Sequence, residues 1–184
     1  MDLKIIFKSK GKGWDELAVK TLDNVMTAFA GESQANRKYT AFAKQAEKEG
    51  FPKVANLFRA AADAEAIHAG KLLDVADKVQ STADNLATAA AGERYEFEEM
   101  YPAFVKAAEE ENQNAAARVM KLAMEAEKVH EALYTKAQQF VAEGKDMTGE
   151  GLYLCPVCGW IGTEPAPEKC PICNTLAKSF KKYE

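Results

Sequence analysis

Each of the two histidines in this chain stands three residues after a glutamate, in Glu65-Ala-Ile-His68 and in Glu127-Lys-Val-His130. Three residues along an α-helix is nearly one turn, so each pair projects a carboxylate and an imidazole in the same direction. Glu65 to Glu127 and His68 to His130 are both 62 residues apart, and Glu32 to Glu93, each following a glycine, is 61. The chain therefore carries two copies of one arrangement, a lone Glu and then a Glu-x-x-His. Two helical hairpins built on these copies would present the ligand set of a di-metal four-helix bundle.

The surrounding pattern predicts those helices. From about Asp15 to Glu49, Val25, Phe29, Glu32, Asn36, Tyr39 and Ala43 fall at steps of four and three, one face of a helix. Gly50 supplies a stop, and Pro52 suits the first turn of a second helix over about 52–79. On that helix Val54, Phe58, Ala61, Glu65, His68, Leu72, Val75 and Val79 share a seam. Ser81 or Thr82 can cap a third, with Leu86, Ala89, Glu93, Glu96, Met100 and Ala103 on one face. Pro102 is expected to kink or break it just after the glutamates. A fourth, over about 113–143, aligns Ala116, Met120, Ala123, Glu127, His130, Tyr134, Ala137 and Val141 before Gly144 ends it. The short connections favour antiparallel hairpins packed as a bundle.

Glu32, Glu65, Glu93, Glu96 and Glu127 thus sit where periodicity otherwise puts Val, Leu, Phe, Met and Ala. Burying each carboxylate costs several kcal/mol even after relaxation, and like charges repel. Two divalent cations would offset four of the five charges. Imidazole plus carboxylate suits iron or manganese better than magnesium or calcium. Taken singly, a Glu on such a face is more often a partly exposed side chain, and a Glu-x-x-His more often an ion pair. The repeat at matched spacing separates this chain from both. The halves differ in one respect: Glu96 follows Glu93 by three residues, where Ala35 follows Glu32. One metal therefore has an extra carboxylate within reach.

From Gly149 the composition turns to Gly, Pro, Cys and β-branched residues. Cys155-Pro-Val-Cys158-Gly and Cys170-Pro-Ile-Cys173-Asn are matching knuckles, and two facing knuckles make a tetrahedral four-sulfur site. Spacing leaves the metal open: zinc makes the module structural, iron makes it a one-electron carrier, and disulfides are the weakest option. So small a module needs its metal to fold. Tyr153, Trp160, Ile161, Ile172 and Phe180 are its expected core.

Composition excludes several classes. A net charge of −4, without a basic stripe interleaved with aromatics, gives no support to nucleic-acid binding. No apolar run approaches the ~20 residues of a membrane span. The apolar patch at Leu3 to Phe7 is short and cut by Lys4, unlike a secretory signal, so a cytoplasmic location is expected. In a reducing compartment four clustered cysteines point to metal before disulfides.

With these residues in hand, the sequence over about 21–184 resembles the rubrerythrins, in TAFAGESQANRKY, AEAIH, AAGERYEFEEMYPAF, AEKVH and the two-knuckle tail. The resemblance implies a mainly α fold, a ferritin-like four-helix bundle over 14–146, followed by a small rubredoxin-like metal-binding β domain over 147–184, with residues 1–13 as an extension. It implies a non-haem di-iron peroxidase that reduces hydrogen peroxide to water. By motif, one iron takes Glu32 with His68 or Glu96, the other Glu93 and His130, and Glu65 and Glu127 bridge. Tyr39 and Tyr101 match tyrosines that hydrogen-bond around such a site, and Cys155, Cys158, Cys170 and Cys173 would bind the single iron. Electrons would come from rubredoxin or an NAD(P)H-dependent reductase. Tunnelling needs closely spaced centres, so the module is expected to serve a second subunit's bundle in a homo-oligomer. If residues 1–13 form a strand, it is expected on the sheet edge of the small domain.

Two rivals use the same residues differently. A ferroxidase or iron-storage protein shares the bundle but has no need of an electron inlet. A scaffold with a structural zinc ribbon would leave the bundle free of metal.

Overall fold

The computed structural model describes residues 18–149 and 151–184; the expectations for residues 1–13 and for a helix start near Asp15 fall outside them. The chain is mainly helical and ends in a small three-stranded sheet, the expected class. The helices are α1 (Val19–Lys48), α2 (Pro52–Val75), α3 (Thr82–Tyr95), α4 (Tyr101–Glu110) and α5 (Asn114–Ala142), with a π-helical segment, Glu96–Met100, joining α3 to α4. Strands β1 (Leu152–Leu154), β2 (Ile161–Thr163) and β3 (Lys181–Tyr183) follow. None of the described helices is long and apolar enough to cross a membrane.

Two compact units divide the chain, one ending at Val79 and the other running Gln80–Glu184. In the first, α1 and α2 form a hairpin. Gly50 turns the chain at φ 86°, and Phe51 N–H bonds back to Ala46 O at 2.8 Å. That six-residue closure satisfies carbonyls left open at a helix end. Val25, Phe29, Glu32, Asn36 and Tyr39 of α1 are half-buried and Ala43 is buried, as the pattern predicts. On α2 the expected Phe58, Ala61, Glu65 and Leu72 are half-buried, and the most buried line runs beside them. Ala55, Ala62 and Ala69, seven apart, are buried, while Val54 and Val75 are exposed. The small methyl groups let α1 approach closely, and Asn36 Nδ2 donates to Ala62 O at 2.7 Å.

Helix α2 ends at Val75 rather than 79 because Asp77 adopts φ 50° and Lys78 N–H bonds to Leu73 O. Aspartate tolerates the left-handed region through local hydrogen bonding. Asn112 (φ 58°) closes α4 in the same way, with Gln113 N–H on Ala108 O, and Gly144 (φ 69°) closes α5 as expected.

In the second unit, Ser81 caps α3, its hydroxyl oxygen accepting from Asp84 N–H. The interruption expected near Pro102 is a widened turn beginning at Glu96, where Tyr101 N–H bonds to Glu96 O five residues back. Proline has no N–H to donate and crowds the preceding turn. The segment holds one residue more than an α-helix would. Beyond it the inward face therefore moves from the expected Ala103, which is exposed, to Tyr101, Val105 and Ala108.

The sheet has order β2-β1-β3, antiparallel throughout, with Tyr153 opposite Gly162 and Lys182. A Cβ on Gly162 would lie 2.0 Å from Cη2 of Trp160, so only glycine lets the indole lie over the strand. The module's core is Cys155, Cys170 and Trp160, with Ile172 and Phe180 packed on it as expected. Tyr153 and Ile161 are half-buried outside that cluster, Tyr153 donating to Glu164 at 2.7 Å. Val129 of α5 completes the core.

Candidate metal centres

In the first unit, α1 delivers Glu32 and α2 delivers Glu65 and His68, with ligand atoms all within 4.8 Å of one another. His68 Nδ1 lies 2.8 Å from Glu65 Oε2, as Glu-x-x-His spacing predicts. A hydrogen bond with Glu65 and burial raise the Glu32 carboxyl above its ordinary range. Its partner Glu65 is held below that range, chiefly by the bond to His68. One carboxyl keeping its proton beside another that has lost it is how two acids share a small space.

The second unit repeats the arrangement: α3 delivers Glu93 and α5 delivers Glu127 and His130, again within 4.8 Å. His130 Nδ1 is 2.7 Å from Glu127 Oε2 and 3.8 Å from Glu93 Oε1. This triad is the drier one, with His130 15% exposed against 55% for His68. The cysteine module accounts for the difference, since the outer nitrogen, Nε2, lies 2.9 Å from Gly159 O. Burial, then the charge of Glu127, pushes Glu93 above the ordinary carboxylate range. Arg94 of α3 pairs with Glu131 of α5 and ties the two helices together beside the triad.

Glu96 stands next to this triad rather than in it. Burial raises its carboxyl, and the Glu93 charge adds to the effect. Tyr101, turned inward by the π segment, is likewise raised by burial and then by Glu96, Glu127 and Glu93. Tyr39 is placed differently, its ring 6.2 Å from those of both Phe42 and Phe58. Tyr134 was not among the expected site residues, yet burial and the charges of Glu93 and Glu127 raise it too. Its signal was present in the sequence, one turn after His130 on the same face.

Cys155, Cys158, Cys170 and Cys173 form the third cluster, with Sγ separations of 3.5 Å (Cys155–Cys173) and 3.4 Å (Cys158–Cys170). Gly159 N–H bonds to Cys155 O and Asn174 N–H to Cys170 O, each from a left-handed residue (φ 83° and 62°). Burial drives the Cys158 thiol strongly upward. Burial also works against Cys173, but hydrogen bonds from the Thr175 hydroxyl and backbone outweigh it and bring Cys173 to about 6. Four soft sulfur donors in a small shell fit iron or zinc, and the two Glu/Glu/His triads fit a harder pair such as iron. Within its own chain the module packs against α5 through Val129 and Gly159.

The family model described as Rubrerythrin matches residues 23–138, and that described as Rubrerythrin, rubredoxin-like domain matches 153–181. Nigerythrin of Nitratidesulfovibrio vulgaris (strain Hildenborough) is 39% identical over 177 residues, covering 89% of this chain and 86% of that protein. Rubrerythrin of Porphyromonas gingivalis is 38% identical over 170 residues, covering 84% and 85%. Among solved structures, the fully reduced, all-ferrous state of nigerythrin covers both chains fully at 34% identity with a TM-score of 0.55.

Proposed function

The chain belongs to the rubrerythrin family, and from that premise we propose how its residues run a di-iron peroxidase that reduces hydrogen peroxide to water. One observation carries the reading: two like Glu/Glu/His triads share a chain with a four-thiol module, and that module is seated against one of them. Each triad supplies one iron's share of ligands, Glu32, Glu65 and His68 for the first and Glu93, Glu127 and His130 for the second. Glu96 is a further carboxylate in reserve, and Cys155, Cys158, Cys170 and Cys173 hold the single iron. When bound, the iron pair supplies the two electrons that break the O–O bond, and the four-sulfur iron supplies their replacements.

The chain's own groups manage protons and access. Burial and the charge of Glu96 keep Tyr101 a neutral phenol, so its hydroxyl donates a hydrogen bond toward the oxygen that departs as water. Glu96, whose carboxyl is raised by burial, would supply the proton itself. From the module, Cys158 leads through Gly159 C=O to His130 Nε2–H, a bonded path with one hydrogen bond in it. A rubredoxin or an NAD(P)H-dependent reductase would deliver electrons to the module, beside whose Cys158 the exposed Val157 offers an apolar contact. Leu57 and Ile67, 68% and 58% exposed on α2, support a homo-oligomer, since large exposed apolar side chains mark interaction surfaces. A cytoplasmic location agrees with four cysteines grouped for metal.

The test is anaerobic metal analysis followed by stopped-flow mixing of the reduced chain with peroxide and, separately, oxygen. About three irons per chain and faster oxidation by peroxide are expected. One zinc and no iron, or oxidation by oxygen alone with mineral formation, would overturn the reading.

A further inference from the structure

The two cysteine knuckles are near copies in backbone but not in what touches their sulfurs. Cys155 N–H bonds to Trp160 O and Cys170 N–H to Thr175 O, both at 2.8 Å, so Trp160 and Thr175 occupy equivalent positions five residues after the leading cysteine. Trp160 packs its indole against Phe180, ring centroids 5.6 Å apart. Thr175 instead places Oγ1 3.1 Å from Cys173 Sγ. Its carbonyl, engaged by Cys170 N–H, holds the residue in place, and the side chain is half-buried.

We propose that Thr175 raises the reduction potential of the module's iron by donating its hydroxyl proton to Cys173 Sγ. The inference rests on the reading of the four cysteines as an iron site. A sulfur bound to metal is a thiolate with no proton, so of the two atoms only the hydroxyl can donate. Reduction adds one electron to the iron, makes or breaks no bond, and takes the iron with its four thiolates from a net charge of about −1 to about −2. A donor aimed at a ligating sulfur interacts more favourably with the more negative state. The reduced form is stabilised relative to the oxidised one, and the module accepts electrons more readily from its donor. The second knuckle is the one tuned, because the first has an indole where the hydroxyl would be.

The experiment is a spectroelectrochemical titration of the visible ferric-thiolate band in the full-length, iron-loaded chain. Thr175→Val keeps the branched shape and removes the donor, while Thr175→Ser restores it. Thr175→Val should shift the one-electron equilibrium toward the oxidised form by about tenfold, ~59 mV lower for a one-electron couple. Thr175→Ser should stay within about threefold of the parent. If Thr175→Val loads poorly, Thr175→Ala is titrated in its place and should fall likewise. A couple that neither donor-less variant moves, or that Thr175→Ser lowers as far as they do, overturns the role of Thr175 alone. A parent chain whose module shows no reversible one-electron couple overturns the iron reading as well.

Discussion

His130 Nε2 lies 2.9 Å from the carbonyl oxygen of Gly159, while Nδ1 of the same ring faces Glu127 and Glu93. A neutral imidazole that donates from Nε2 keeps its lone pair on Nδ1, the nitrogen aimed at the carboxylates. The loop after Cys158 thereby selects the tautomer that can ligate. Val129, one residue earlier, packs into the module's core and keeps the loop there.

Shortening Val129 should loosen this seat. Val129→Ala removes two methyl groups from a partly buried site, expected to cost about 1 kcal/mol. All three metals should still load, with a lower melting temperature for the module's visible band and slower electron passage to the bundle by stopped flow. Unchanged transfer kinetics would show that this contact does not carry the electrons.

Removing Glu127 separates the two kinds of centre. Glu127→Ala takes away the carboxylate 2.7 Å from His130 Nδ1 and should abolish di-iron loading. The red colour of the four-sulfur ferric site should persist. Metal counts and a visible spectrum of the same sample decide it, and full di-iron occupancy would remove Glu127 from the ligand set.

In the chelated, metal-free chain the acids themselves set a pH dependence. Burial and neighbouring charge raise Glu93 and Glu96 above their ordinary 4.5, so the folded state retains protons that the unfolded chain has released. Their contribution to stability is full below pH ~4.5 and lost as pH rises through the shifted values. Glu65, held down mainly by His68, runs the other way: its contribution is present above 4.5 and lost as pH falls through its depressed value. Glu96→Gln should therefore raise the melting temperature of the metal-free protein at pH 7 more than at pH 4. Equal effects at both pH values would show that Glu96 bears no such strain.

A methyl group at Gly162 has nowhere to go. Its Cβ would meet the Trp160 ring at 2.0 and 2.4 Å, and overpacking of this kind costs about 1–3 kcal/mol. Gly162→Ala should lose module iron at lower temperature, followed by the decay of the visible band. Adding Trp160→Leu should recover part of the loss if the ring is the obstacle.

Tyr101→Phe tests the hydrogen-bond donor. Peroxide turnover should fall at least about tenfold with the iron content unchanged. A variant as fast as the parent would shift the role to Glu96 or Tyr134.

Much of this was legible because ligand spacing is local. Glu65 with His68, Glu127 with His130, and the two Cys-x-x-Cys knuckles each fit within one turn of chain, so the sequence shows the clusters directly. Helix ends at Gly50 and Gly144 were equally readable. Those at Asp77 and Asn112 were not, because aspartate and asparagine enter the left-handed region only where the local hydrogen bonding favours it. On α2 the half-buried Phe58, Ala61, Glu65 and Leu72 were legible, but the alanines at the centre of the face were not. Ala55, Ala62 and Ala69 carry little hydropathy signal, whereas Val54 and Val75 stand out and prove exposed. The seat of the module on α5 depends on Gly159 and Val129, thirty positions apart and silent as motifs. Nor could periodicity reveal the π segment, since Glu93, Glu96, Met100 and Ala103 run on at ordinary helical spacing.

That wide turn acts as a frame-setter within an otherwise continuous rod. One residue of an α-helix corresponds to about 100° of rotation. Deleting a single residue within Glu96–Met100 would leave Glu93 pointing where it does. It would also keep Tyr101, Val105 and Ala108 facing inward, because the wide turn has absorbed one residue more than an α-helix holds. The extra residue thus sets where the phenol points, since an unbroken α-helix of the same length would turn Tyr101 away from the face of Glu93.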